Sequence, residues 1–230
     1  MVAKNGRALK IRLVAAAAAA LSVAAPGAAQ DAYKGSQPEG LLEAVNGFVD
    51  RLDRVFDYQM APEFRQNDLY GKRISLAGYS GRICILSFVD QKNEEEARVW
   101  LEDQSIDYMG DPDLVFINVL YPGRIPFIVS RSNAVDSIRR EVDKFLEQMW
   151  QSLSEKERDL FQRTTIRWVV DWKRDLQRAY NTTRDRMNLV VVDGQGQIRQ
   201  IIRKKTPKTV EQLRATIAEL KRERAGLASR

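Results

Sequence analysis

Two runs of sequence limit the fold most: ICILSFV at Ile83–Val89 and DLVFINVLY at Asp113–Tyr121. In the first, both alternating faces are apolar except at Ser87, so neither face can be left to water. Such a strand belongs in the middle of a sheet that is covered on both sides. Between the two runs, Asn93 to Leu101 reads as a helix, with Asn93 as a capping residue and Glu94, Glu95 and Glu96 in the first turn, where the helix dipole favours negative charge. The three glutamates read as a solvated first turn, because adjacent helical positions point about 100° apart and do not converge on one atom. Strand, helix and strand in succession predict a parallel pair with a right-handed crossover.

Downstream, Val135, Ile138, Val142, Phe145, Leu146, Met149 and Trp150 recur on one side of a long helical pattern. SEKE at Ser154–Glu157 fits a capping box that opens a short helix reaching about Phe161. IRWVVD at Ile166–Asp171 predicts a short strand, and WKRDLQRAY a short helix. In MNLVVVDGQGQIRQIIR two strands flank Asp193-Gly194-Gln195-Gly196, a hairpin signal because glycine reaches the positive φ of such turns. Thr206 and Pro207 open a last helix with Val210, Leu213, Ile217 and Leu220 inside. The predicted class is α/β: a mixed central sheet covered by helices on both faces, with an extra N-terminal helix.

A chain of 230 residues, 44% hydrophobic, supports one sizeable core with decorations. Residues 1–29 read as a cleavable export signal, with a basic start, a thirteen-residue run Leu13–Ala25 broken only by Ser22, and small residues around a cut after Ala29. The run is shorter than the ~20 residues of a membrane-spanning helix, and an uncleaved inner-membrane anchor is the alternative. Residues 30–70 form an extension in which Leu41, Leu42, Val45, Phe48, Val49, Leu52, Val55 and Phe56 have helical spacing. The main domain is placed at 71–224 and a tail at 225–230.

Composition then narrows the chemistry. The signal holds four of the 37 lysines and arginines and none of the 31 acids, so its removal lowers the formal net charge from +6 to +2. The remainder has no dominant basic block, which argues against nucleic acid as a partner. Histidine is absent and Cys84 is the sole cysteine, which excludes an intramolecular disulfide, imidazole-based catalysis, and zinc, haem or copper sites built from His and Cys. No cofactor is expected. Asp111 and Asp113, around Pro112, read as turn residues before a carboxylate site. RKK at Arg203–Lys205 reads as a solvated strand end, with peripheral attraction to anionic lipid as the sharper alternative.

LYGKRISLAGYSGRICILSF, VVDWKRDLQRAY and LVVVDGQGQIRQIIR, in that order and followed by the final helix, resemble the thioredoxin fold in its larger, peroxiredoxin-like form from about Gly71 to Glu223. With the signal, the segments RWVVDWKRDLQRAY and NLVVVDGQGQIRQIIRKKTPKTVEQL are similar to the YtfJ-like periplasmic proteins. The resemblance implies a redox site after the first core strand, where relatives hold Cys-x-x-Cys; this chain has Asn93 and Glu96 near those places. It also implies a cis-proline ahead of the hairpin, replaced here near Met187. The expected function is therefore a non-catalytic periplasmic protein that binds a protein partner, as an accessory subunit of an envelope complex, through a polar face of Asp90, Gln91, Asn93 and Met187. The alternative is an oxidoreductase or peroxidase working through Cys84 alone, although Cys84 lies inside the strand and reads as a core residue.

Intact-mass analysis of the protein recovered from its native envelope is expected to give a chain beginning at Gln30; a mass that retains residues 1–29 would establish the anchored form.

Overall fold

The computed structural model describes residues 59–90, 93, 96–100, 107–123, 130–183 and 186–228. A five-stranded sheet is built from β3 (Ile83–Asp90), β4 (Leu114–Tyr121), β5 (Thr165–Val170), β6 (Asn188–Val192) and β7 (Ile198–Ile202), in the order β5-β4-β3-β6-β7. β3 and β4 are parallel, as are β4 and β5, whereas β6 runs antiparallel to both β3 and β7. A small hairpin of β1 (Arg65–Asn67) and β2 (Arg73–Ser75) precedes the sheet. Among the described residues four helices follow β4: α1 (Arg131–Ser152), α2 (Glu155–Arg163), α3 (Asp175–Ala179) and α4 (Pro207–Ala228). Residues 96–100, between β3 and β4, are also helical. This is the mixed, thioredoxin-like arrangement anticipated from the sequence, a parallel βαβ core closed by an antiparallel hairpin and a helix.

Every residue of β3 is buried, and its alternation divides the interior into two cores. Ile83, Ile85 and Val89 meet Ala97, Trp100, Phe145, Leu213 and Ile217, so one face lies against 96–100, α1 and α4. Cys84, Leu86 and Phe88 belong to the other core, with Phe64, Ile74, Leu76, Leu176 and Tyr180. Helices lie on this second face as well, together with the chain that precedes the sheet. That face is covered by the five-residue α3, by a single 3-10 turn at Ala77–Tyr79, and by the stretch 61–76 with its β1–β2 hairpin.

That cover ties residues 59–70, placed in the extension, to the sheet. Ala61 and Phe64 are core residues, Ala61 N–H donates to the Gly196 carbonyl at 2.7 Å, and Ile198 N–H donates to the Gln59 carbonyl at 2.8 Å. At the opposite edge Leu69 N–H donates to the Trp168 carbonyl of β5 at 2.7 Å. Both edges of the sheet thus receive backbone from residues 59–69, which blunts the tendency of open edges to pair with other chains. The apolar helical pattern at 41–56 lies outside the described residues, while Met60 forms an isolated antiparallel bridge with Gln197. At the other end α4 continues to Ala228, past the tail boundary expected at 225.

Local signals account for the connections. Ser154 and Glu157 form a reciprocal capping box, and Ser130 Oγ accepts from Asn133 N–H to start α1. At the hairpin turn Asp193 Oδ1 accepts from Gln195 and Gln197 N–H, both at 2.9 Å, and Gly196 has φ +84°. Gly194 is required for a different reason: a Cβ there would stand 3.0 Å from Gly81 Cα, where Gly81 N–H donates to the Gly194 carbonyl. Asp111 and Asp113 are taken up by ion pairs from Lys221 and Arg224, which fasten the approach to β4 onto α4. The short helix begins at Asp175, later than the expected Trp172, because Asp171 accepts from Asp175 N–H at 2.8 Å and Gln177 N–H at 3.0 Å and so fixes its start.

Leu86→Ala, at a position with no exposure, is expected to cost about 2–5 kcal/mol in chemical denaturation. Ser87, also buried, has a hydroxyl with no hydrogen-bond partner, so Ser87→Ala should leave stability within about 1 kcal/mol of the parent or raise it.

Candidate functional site

Where β3 leaves the core its last residue is Asp90, only 4% exposed, and the chain turns at once into a hydrogen-bonded knot. Asp90 N–H donates to Asn93 Oδ1 at 2.9 Å, and Asn93 N–H donates to Asp90 Oδ1 at 3.1 Å. The Asn93 carbonyl then accepts from Ala97 N–H at 2.8 Å, the first bond of the helical segment. Asn93 therefore stands at the helix start as expected, but its side chain turns back to close the strand.

Glu96 departs from the reading of a solvated first turn. Its carboxylate reaches across to two other elements, Oε2 accepting from Met187 N–H at 3.4 Å and Oε1 from Lys205 N–H at 3.3 Å. The Met187 contact depends on residue type, because a proline in that place would have no N–H to donate. Met187 itself is 1% exposed, with its side chain in the core shared with Leu189 and Trp100. Next to it, the buried Asn188 amide accepts from Thr183 N–H and donates to the Thr183 and Arg186 carbonyls, which holds the bend leading into β6.

The expected polar face is corrected accordingly. Asp90, Asn93 and Met187 do lie on the segments that Glu96 and the Asp90–Asn93 knot tie together, but all three are buried, Asp90 and Asn93 bonded reciprocally and Met187 N–H held by Glu96. They brace the end of the sheet and do not present a surface. Gln91 lies outside the described residues. Asn188 carried no signal in the sequence; Glu96 stood near the place of the second redox cysteine, but its bonds to Met187 and Lys205 were not legible from one of three adjacent glutamates.

Cys84 occupies the core opposite to the helical segment 96–100, since it packs with Phe88, Tyr180 and Val192 whereas Ala97 and Trp100 belong to the other face. Burial pushes its thiol up to about 12, against a small lowering by Arg82. Tyr180 is likewise raised by burial, then by nearby Cys84 and Glu63, and its hydroxyl donates to the Pro62 carbonyl at 2.8 Å. Beyond Lys205 a groove of about 680 Å³ runs along the start of α4 between Lys205, Pro207, Val210, Glu211 and Arg214, with charges of both signs.

No protein-family model matches the chain, and no curated protein matches it. Among solved structures it is similar to a proposed thioredoxin from Neisseria meningitidis, at 17% identity over 70% of this chain and 92% of that one, with a TM-score of 0.48. A proposed thiol:disulfide interchange protein DsbE from Chlorobium tepidum matches at 13% identity over 71% and 96% of the two chains, with a TM-score of 0.48. The exposed lipoprotein thioredoxin of Streptococcus pneumoniae matches at 18% identity over 70% and 99%, with a TM-score of 0.42. These are likenesses of fold. Among the described residues no helix is long and apolar enough to cross a membrane.

The buried thiol gives the folded state a sign for its alkaline behaviour. Because the folded pKa lies above the ordinary 9.0, the native protein holds a proton that the unfolded chain gives up, and stability falls as pH rises from about 9 toward 12. Denaturation midpoints over this range are expected to fall, and Cys84→Ala to reduce the slope by about 1.4 kcal/mol per pH unit, leaving the tyrosine contribution.

Proposed function

We propose that this chain is an exported, thioredoxin-like binding protein of the cell envelope, acting through contact with a protein partner as an accessory subunit and without thiol turnover. One observation carries the reading. At the end of β3, where exchange chemistry needs a thiolate at a helix start, the chain has the closed Asp90–Asn93 knot and the Glu96 carboxylate bonded to Met187 N–H, with its sole thiol on the other face. A pKa near 12 leaves on the order of one thiol in 10⁵ ionised at pH 7, so a single-cysteine peroxidase would lack its nucleophile. Export rests on the character of residues 1–29, and the periplasm on the resemblance that accompanies them.

The mature chain is expected to show no insulin-disulfide reduction and no peroxide consumption above that of Cys84→Ser. Crosslinking in the native envelope is expected to recover the same stoichiometric partner with wild type and Cys84→Ser alike. Turnover that disappears in Cys84→Ser, or no partner above background in either form, would overturn the proposal.

A further inference from the structure

One step along the sheet from Asp90, a pair of arginines lies against aromatic rings at the carboxyl ends of β4 and β5. Tyr121, the last residue of β4, stands in register beside Asp90, and the guanidinium carbon of Arg174 lies 3.8 Å from the centroid of its ring. Two residues before Arg174, Trp172 has Arg131, the first residue of α1, over its ring at 6.0 Å. Among the described residues neither guanidinium makes a hydrogen bond or an ion pair, whereas Arg139, Arg178, Arg199, Arg214 and Arg224 each face a carboxylate. The Nε of Arg174 is moreover buried without a partner.

Arg174 also carries backbone strain, with φ 59° and ψ 28° in the left-handed region that a side chain enters at a cost of about 1 kcal/mol. An unpartnered buried N–H costs about a further 1–3 kcal/mol. Both features fall on the residue whose guanidinium carbon lies over the Tyr121 ring at 3.8 Å, a cation–π contact that does not use the N–H donors of the fork. α1 begins at this edge with no acidic residue in its first turn, so the positive end of its dipole is not neutralised. Of the acids close to this edge, Asp90 is bonded to Asn93 N–H, Asp171 to the N–H groups that start α3, and Asp175 is paired with Arg178.

We propose that this edge binds an oxyanion, a carboxylate or phosphate group, with Arg174 as the principal donor, Arg131 as the second, and Tyr121 and Trp172 as the platforms that orient them. The planar guanidinium fork matches both oxyanions, so the chemistry is shared by an acidic side chain and a phosphate. The inference does not rest on the absence of thiol turnover; either can fail without the other.

The test is titration of the full chain with inorganic phosphate and, separately, with succinate, read by calorimetry and by NMR shifts. Saturable binding of at least one anion is expected, and the one preferred identifies the source. Arg174→Gln should weaken it by about tenfold to a hundredfold, Arg131→Gln by less, and Lys205→Gln not at all. Arg174→Gly removes the guanidinium and relieves the positive φ, so it should abolish binding while keeping or raising the melting temperature. Absence of saturable binding by both anions, or binding that survives unchanged in a folded Arg174→Gly protein, would overturn the proposal.

Discussion

The burial of β3 on both faces is the constraint from which the rest follows. Each of its eight residues is buried, so two separate layers must be supplied, and neither can be omitted without exposing Ile85 on one side or Leu86 on the other. The helices α1 and α4 with residues 96–100 supply one layer. The other is assembled from α3 and the stretch 61–79, which explains why residues ahead of the apparent domain start are held so firmly to the hairpin and to β5. The same alternation decides the position of the sole thiol. A cysteine at the second place in β3 must face the layer opposite to the helix that follows the strand, and burial there keeps it protonated.

The central architecture was legible because periodicity reports burial directly. The two apolar strands, the Ser154 capping box, the Asp193–Gly196 turn and the inner face of α4 were all readable from residue type and spacing. What was not legible depends on partners distant in sequence. Phe64, Ile74 and Leu76 lie in short pieces with no clear period, and they become core only because β3 needs a second cover. Glu96 was read with its neighbours as a solvated turn; its role depends on Met187 and Lys205, about a hundred positions away. Asp90 and Asn93 were read as an outward face because polar residues after a strand usually are, and here their reciprocal bonds let them be buried. Nothing local marked Arg174, whose backbone conformation and stack on Tyr121 are tertiary.

The end of the sheet is thus a braced structure, with the hydrogen-bonding capacity of the Asp90–Asn93 knot and the Glu96 carboxylate directed inward. The arginine–aromatic edge beside Tyr121 is continuous with the knot through the β3–β4 register. At the strand ends one part is thus closed by its own hydrogen bonds, and the adjacent part carries charge.

The central claim is that the thiol is sealed in the core, and the native-state rate of its modification tests this most directly. Cys84 should react with a small maleimide only as fast as the protein unfolds, and denaturant should restore the rate of an exposed thiol. Labelling of the native protein within about tenfold of the denatured rate, without denaturant, would contradict the account.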